Sequence, residues 1–549
     1  MGSMPSWKES AHLRRQQQYE TIPPSWRLKS IPTEFRDTRY VIERSGLLTA
    51  RELDITGTIG AGKILRKYEE GDWTVEEVVT AFCKRAAIAT QLIGCCTELM
   101  FDEAIAQARE LDRWYADTGE LTGPLHGIPI SLKDNHQVRG VDTTVGWVGL
   151  LGKPEAEDGL PVQQYRALGA IVYVKTNVPQ SMMMSDSYNH VWGQSLNSLS
   201  RALISGGSSG GEGALIGARG SLLGIGTDIG GSIRIPAALQ GLYGLSPSIG
   251  RVPNRESARD QKYIVRPVAG PMSNSLSSIE LFMEAYSTIE PWKIDPTIQP
   301  IPWRYELALQ PKDRLKIAYI VDDGVVAPHP PIQRAVRDVV RKLRQCGHEV
   351  VEWEFASSHR AAYYELWVKA VLADGGQRCA DLCKLVDEPL IPGMLVGTPE
   401  TALSADQKMA LSDEIWEYQA QYLKKWKDSG IDALVMPVTP WVGMRPKQWV
   451  QSQQYVGYTA LWNLLDYAVL TMPVGLVDSM VDDPGRDEAW KEYGKSQTRG
   501  FSDEFNHALY QELWDKGVVQ GLPVNVQVVT GRLAEERALA IGKVLDALP

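Results

Sequence analysis

The chain has 549 residues, 44% of them hydrophobic, which is enough for a large core and, at about 150 residues per domain, for several domains. Its 67 acidic against 57 basic residues leave a net charge of −10, which argues against a nucleic-acid partner held through bulk electrostatics. No run approaches the roughly 20 apolar residues of a membrane-spanning helix, so the expectation is a soluble, unexported, cytoplasmic protein with no membrane span.

Met1, Gly2 and Ser3, ahead of a second methionine at Met4, read as an expression scar. Residues 6–44 are polar and interrupted by Pro23 and Pro24, which predicts a helix, a turn and an arm lying on the body. From Thr74 the pattern changes. Thr74 and Glu77 have capping-box spacing, and Val78, Ala81, Phe82 and Ala86 recur at helical intervals. Short β-branched runs at 128–132 and 171–176 read as buried strands, alternating with helical stretches as in an α/β fold. Four prolines in the run PWKIDPTIQPIPW, residues 291–303, mark a connection. Beyond it a strand is predicted at 315–321, a helix at 332–346 and a strand at 349–353. The six cysteines are too sparse for a disulfide scaffold. Cys379 and Cys383, one helical turn apart, have no histidine nearby, so no metal is assigned.

The centre of the chain is richest in chemistry. Fourteen of the forty-five residues from 206 to 250 are glycine, against 49 in the whole chain. A flexible linker would lack the apolar residues that thread this stretch, among them Leu215, Leu223, Ile225 and Ile233. A dinucleotide fingerprint fails because Gly224 and Gly226 are followed at the required position by Ile229, with Gly230 one residue late. Elsewhere Gly57, Gly62 and Lys63 approach a Walker loop, but Ile64 stands where a hydroxyl would hold magnesium; that stretch reads as a helix start.

What remains is two runs of glycines around serines, 206–211 and 226–234. Acyl transfer needs a serine hydroxyl presented to a carbonyl carbon, and backbone N–H groups aimed at the oxygen that becomes negative. The small residues before Ser232 allow a tight turn in which the N–H groups of Ile229, Gly230, Gly231 and Ser232 converge as an oxyanion hole. A serine also needs a base. His126, at the start of an apolar strand, reads as a structural histidine, and His136 is no more persuasive. Lys133 closes the run GIPISLKD; at the end of a buried strand it would lose its proton easily, although in most proteins such a lysine lies on the surface.

These motifs resemble the amidase-signature family, and within it the fungal acetamidase-like general amidases. The run GGSSGGEGALIGARGSLLGIGTDIGGSIRIPAALQGLYGL is similar to the family signature almost throughout, and LHGIPISLKDN to its lysine motif. The resemblance extends from SWKESAHLRRQQQYETIPPSWRL near the start to GLPVNVQVVTGRLAEERAL near the end. It implies an α/β/α sandwich around a large mixed sheet. Residues 1–55 would form a helical arm and 56–549 a single catalytic domain, with 291–303 an internal excursion. It further implies Ser232 as nucleophile, Ser208 as relay after a cis peptide, and Lys133 as base. The oxyanion donors fall on Ile229 to Ser232, while Ser209, Asp228 and Arg234 support the lysine and the loop. Through TNVPQSMMMSDSYN it makes the Met182 carbonyl an acceptor for the substrate nitrogen and Met183 a pocket wall. Ser246 and Ala468 depart from the usual lysine and proline, which leaves substrate preference unassigned.

The expectation is thus hydrolysis of a small-molecule amide to carboxylate and ammonia or amine through an acyl-enzyme, without cofactor or metal, in a homodimer. Ester cleavage or acyl transfer by the same residues, and a silent binding protein on this fold, are the alternatives. Part of the segment 441–472, which holds Trp441, Trp449, Tyr455, Tyr458, Trp462 and Tyr467, is expected to line the acyl pocket and to accept aromatic or extended acyl groups, although a run this dense in aromatic residues is as often core packing.

Overall fold

Runs of β-branched and aliphatic residues closed by turns form thirteen strands in this computed structural model, which describes residues 6–32, 35–254, 263–309, 313–354, 358–452, 454–493 and 499–549. The supposed expression scar lies outside the described residues. In chain order the strands are β1 (Cys96–Leu99), β2 (Pro129–Lys133), β3 (Ile171–Thr176), β4 (Tyr188–Asn189), β5 (Gly193–Gln194), β6 (Leu223–Asp228) and β7 (Tyr243–Ser246). There follow β8 (Val268–Ser273), β9 (Lys316–Tyr319), β10 (Glu349–Glu352), β11 (Ala433–Pro437), β12 (Val469–Leu476) and β13 (Pro523–Val529).

Eleven of them make one sheet in the order β1-β3-β2-β6-β8-β7-β12-β13-β11-β9-β10; β4 and β5 pair separately. β3, β2 and β6 run parallel, as do β11, β9 and β10, whereas β8, β7, β12 and β13 join them through antiparallel pairs. The result is the expected α/β/α sandwich, a large mixed sheet covered by helices. A parallel strand covered on both faces is apolar throughout, and β3 is buried at every position.

Local chemistry explains the boundaries. Thr74 and Glu77 form the predicted capping box, at 3.1 and 3.0 Å, and the helix Val75–Ile93 stops at Gly94, whose φ of 61° is the left-handed conformation of a helix end. The strand expected at 128–132 lies one residue later and ends on Lys133, while 171–176 coincides with β3. The helix expected at 332–346 begins earlier, at Pro330, because two prolines fit a first turn whose N–H groups have no helical acceptor. The proline-rich connection contains one short 3₁₀ turn, Pro291–Lys293. Among the described residues no helix is long and apolar enough to cross a membrane.

The N-terminal arm starts with the helix Trp7–Thr21, capped by Ser6 and Glu9, and lies along β1 at the sheet edge. Arg14 pairs with Glu98, and Gln18 donates to the carbonyls of Cys96 and Thr97 at 2.8 and 2.7 Å. Residues 55 and 56 lie within the helix Ala50–Gly57.

Candidate active site

β2 delivers Lys133 to the middle of the molecule. Alternation along the strand turns Ser131 and Lys133 to one face and Leu132 to the other, and all three are buried. Lys133 Nζ stands 2.8 Å from Ser208 Oγ, 2.9 Å from Thr227 Oγ1 and 3.2 Å from the Thr227 carbonyl. Burial pushes its ammonium down to about 7, against the opposing pull of the negative Asp228 and Glu212.

Ser208 follows a cis Gly207–Ser208 peptide. A Cβ on Gly207 would come within 2.5 Å of the Met184 carbonyl, so only glycine fits at that approach. The next residue ties two loops together. Ser209 donates its N–H to the Ser232 carbonyl at 3.2 Å and its hydroxyl to the Thr227 carbonyl at 3.3 Å. Ser232 therefore sits beside Ser208, half-buried at the wall of a cavity; among the described residues its hydroxyl makes no hydrogen bond.

Asp228, at the end of β6, organises the loop 229–232. Its carboxylate accepts from the Gly231 N–H at 2.7 Å, the Ile233 N–H at 3.0 Å and Asn463 Nδ2 at 2.9 Å, and takes two bonds from the Arg234 guanidinium at 2.9 and 3.0 Å. Burial would raise this carboxyl, but Arg234, the Ile233 N–H and Asn463 outweigh it and hold the group down at about 2. With the Gly231 N–H committed to Asp228, the N–H groups of Ile229, Gly230 and Ser232 have no acceptor among the described residues. Gly231 has φ 129°, and a Cβ there would meet Thr459 Oγ1 at 2.4 Å. On the other side, a Cβ on Gly230 would strike the Trp367 ring at 2.4 Å.

The cavity beside Ser232 measures about 30 Å³ and is walled by Met182, Met183, Ile229, Trp367, Leu395 and Val456, among others. Trp367 donates its indole N–H to the Ile229 carbonyl at 3.0 Å. The Met183 carbonyl is occupied by the Leu395 N–H at 3.0 Å; no N–H of the described residues reaches the Met182 carbonyl. The aromatic residues expected here are elsewhere. From that segment Gln454 and Val456 line the cavity, whereas the six aromatic residues do not. Trp462 and Tyr467 pack with Tyr422 and Trp426 in the core, while Tyr455 donates to Asp323 and Tyr458 to the Val326 carbonyl. The segment thus reaches the cavity through Gln454 and Val456 while its aromatic rings pack in the core, and the tolerance expected for aromatic acyl groups finds no ring from this segment at the wall.

Residues 77–539 match the family model described as Amidase. The chain belongs to the amidase-signature family. The acetamidase of Emericella nidulans is 37% identical over 99% of this chain and 98% of its own length. A putative amidase of Curvularia clavata is 38% identical over 80% of this chain and 82% of its own. Among solved structures, a fatty acid amide hydrolase superposes with a TM-score of 0.90 at 32% identity, covering 99% of this chain and 95% of that one.

Within this amidase-signature site several residues escaped the sequence reading. Thr227 gives Lys133 two of its three neighbours, yet in the run GIGTD it looks like an ordinary strand residue. Thr459 and Asn463, more than 220 residues from the Asp228 knot they complete, carry no local signal at all. Trp367 is 138 residues from its partner Ile229 and lies in a π-helical stretch, Ala362–Val368. A widened turn of that kind often accompanies a functional site, but composition does not announce it.

Proposed function

We propose that this protein hydrolyses a small carboxylic acid amide through an acyl-enzyme on Ser232, with Ser208 as relay and Lys133 as base. The observation that carries the reading is the buried 2.8 Å contact between Lys133 Nζ and Ser208 Oγ, beneath the loop that presents Ser232. A neutral amine has two N–H groups and one lone pair. Thr227 offers it two acceptors, which leaves the lone pair for the Ser208 hydroxyl.

In the proposed cycle Ser208 takes the Ser232 proton as Ser232 attacks the amide carbon, while its own proton passes to Lys133. The free N–H groups of Ile229, Gly230 and Ser232 receive the developing oxyanion, and Asp228 and Arg234 keep the loop from collapsing onto them. The Met182 carbonyl accepts from the substrate nitrogen. Lys133 returns its proton through Ser208 to the leaving amine, and water then cleaves the ester under the same base. The Ser208 to Ser232 bond forms as substrate enters, since such bonds commonly tighten only in the loaded site.

The cavity beside Ser232, about 30 Å³, is where the acyl group of a small amide would sit. The acetamidase name carried by the Emericella nidulans relative agrees with that size. Trp367→Leu is expected to raise kcat/KM for hexanamide over acetamide at least about tenfold, from room for added methylenes. An unchanged ratio removes Trp367 as the limit on chain length.

The experiment that tests the reading is intact-mass analysis after exposure to a small fluorophosphonate. One adduct on the wild type and none on Ser232→Ala is the expected result; an adduct on both, or on neither, defeats it. Because Lys133 acts as the free amine, the labelling rate is expected to fall as the pH drops through about 7 and to level off above it. A rate that rises with acid contradicts a lysine base.

A further inference from the structure

The helix Gly210–Gly217 carries a carboxyl that the cycle above does not use. Glu212 is completely buried, on the face of the sheet that bears Lys133. Strand register explains the space it fills. Lys133 is paired with Thr176 on β3, and Ser131 with Gly224 on β6. A Cβ on Gly224 would stand 2.0 Å from Glu212 Oε2, so the carboxyl occupies the room a side chain would take. Ser131 donates to Oε2 at 2.5 Å and Thr176 to Oε1 at 2.8 Å. The carboxyl is therefore gripped by the residue two before Lys133 on its own strand and by the residue opposite Lys133 on the next. Both grips are hydroxyl donors, the arrangement that favours a negative carboxylate.

We propose that Glu212 is a positioning residue for Lys133, the buried counter-charge that decides when the amine carries its proton. The inference rests on Lys133 being the base. Burial pushes the Glu212 carboxyl up to about 7, with Ser131, Thr176 and Lys133 pulling the other way, so each charge favours the other. The other groups that act on this pair are Asp228, held ionised by Arg234, and Tyr173 and Cys96 from β3 and β1, whose burial keeps them protonated and neutral. An ionised Glu212 favours the protonated form of Lys133; an uncharged residue at 212 leaves the amine free at lower pH.

The test is the pH dependence of the second-order rate at which a small alkyl fluorophosphonate labels Ser232 in the full chain. In that step the Ser232 oxygen bonds to phosphorus, fluoride leaves, and the serine proton passes through Ser208 to Lys133. For Glu212→Gln the midpoint of the acid limb is expected about one pH unit below that of the wild type. Thr176→Val, which removes one donor to the carboxylate and so weakens its charge, is expected to move it the same way by less. A midpoint that stays put or rises in Glu212→Gln overturns the proposal, as does a lowered plateau with an unmoved midpoint, the mark of a merely structural role. Should Glu212→Gln fail to fold, Thr176→Val decides by the same criterion. Lys133→Ala separates the two levels. If it labels as fast as the wild type, the base assignment fails and this inference with it; if it is slow and Glu212→Gln is unmoved, only the role of Glu212 is lost.

Discussion

On the proposed mechanism, Ser232→Ala is expected to lower kcat for amide hydrolysis by about a million-fold, the scale on which loss of the nucleophile costs a serine hydrolase. Melting should hardly change, because the hydroxyl is half-buried and makes no hydrogen bond among the described residues. Lys133→Ala should cost less, about a hundred- to ten-thousand-fold, as removal of a general base does. The order matters as much as the size. A Ser232→Ala protein that keeps a thousandth of the activity would mean that another group attacks the amide, and Ser208, already 2.8 Å from the lysine, would be the first to examine.

The second large effect concerns Asp228 and Arg234, both fully buried and paired through two hydrogen bonds. Asp228→Ala strands the guanidinium without a counter-charge and releases the Gly231 and Ile233 N–H groups. Breaking a buried pair from one side costs about 3–5 kcal/mol. Scaled by unfolding entropy per residue, a chain of 549 residues loses roughly 1 °C for each kcal/mol, so calorimetry should find melting lowered by about 3–5 °C. Activity should fall as well, by about a hundred-fold or more, as the loop 229–232, the proposed oxyanion donor, loses its anchor. Because the carboxyl is held down at about 2, its contribution is fully present above the ordinary aspartate value and disappears only as the pH falls through about 2. Unchanged melting and full activity in Asp228→Ala would show the pair to be dispensable.

Much of this architecture was legible because its signals are local. A capping box, a glycine helix stop and a six-residue β-branched run each depend on neighbours in the chain, and the elements they predict lie within a residue or two of those observed. The glycine-flanked serines were legible for a related reason, since a tight approach leaves its mark as a missing side chain. Contacts across the sheet left no such trace. Lys133 and Ser208 meet across 75 residues, and nothing in either run states that the two loops converge. The aromatic segment stays ambiguous in the sequence on the same account. Density of rings says that a region is buried, but the direction in which Trp462 or Tyr467 faces is settled by packing against Tyr422 and Trp426.

The helix Trp7–Thr21 has a bearing on the protein's behaviour in concentrated solution. β1 ends the sheet, and a strand with its outer carbonyls and N–H groups uncovered is a template on which another chain can add a strand. Gln18 answers the Cys96 and Thr97 carbonyls itself, and Arg14 neutralises Glu98 alongside, so an incoming strand finds those positions already taken. At the far edge β10 presents the exposed Glu352, while Glu349 is paired with Lys316 at 3.4 Å. The arm thus covers that edge, and shortening it would uncover both β1 and the cluster of Val148, Val191 and Trp192 on which Ala11 packs.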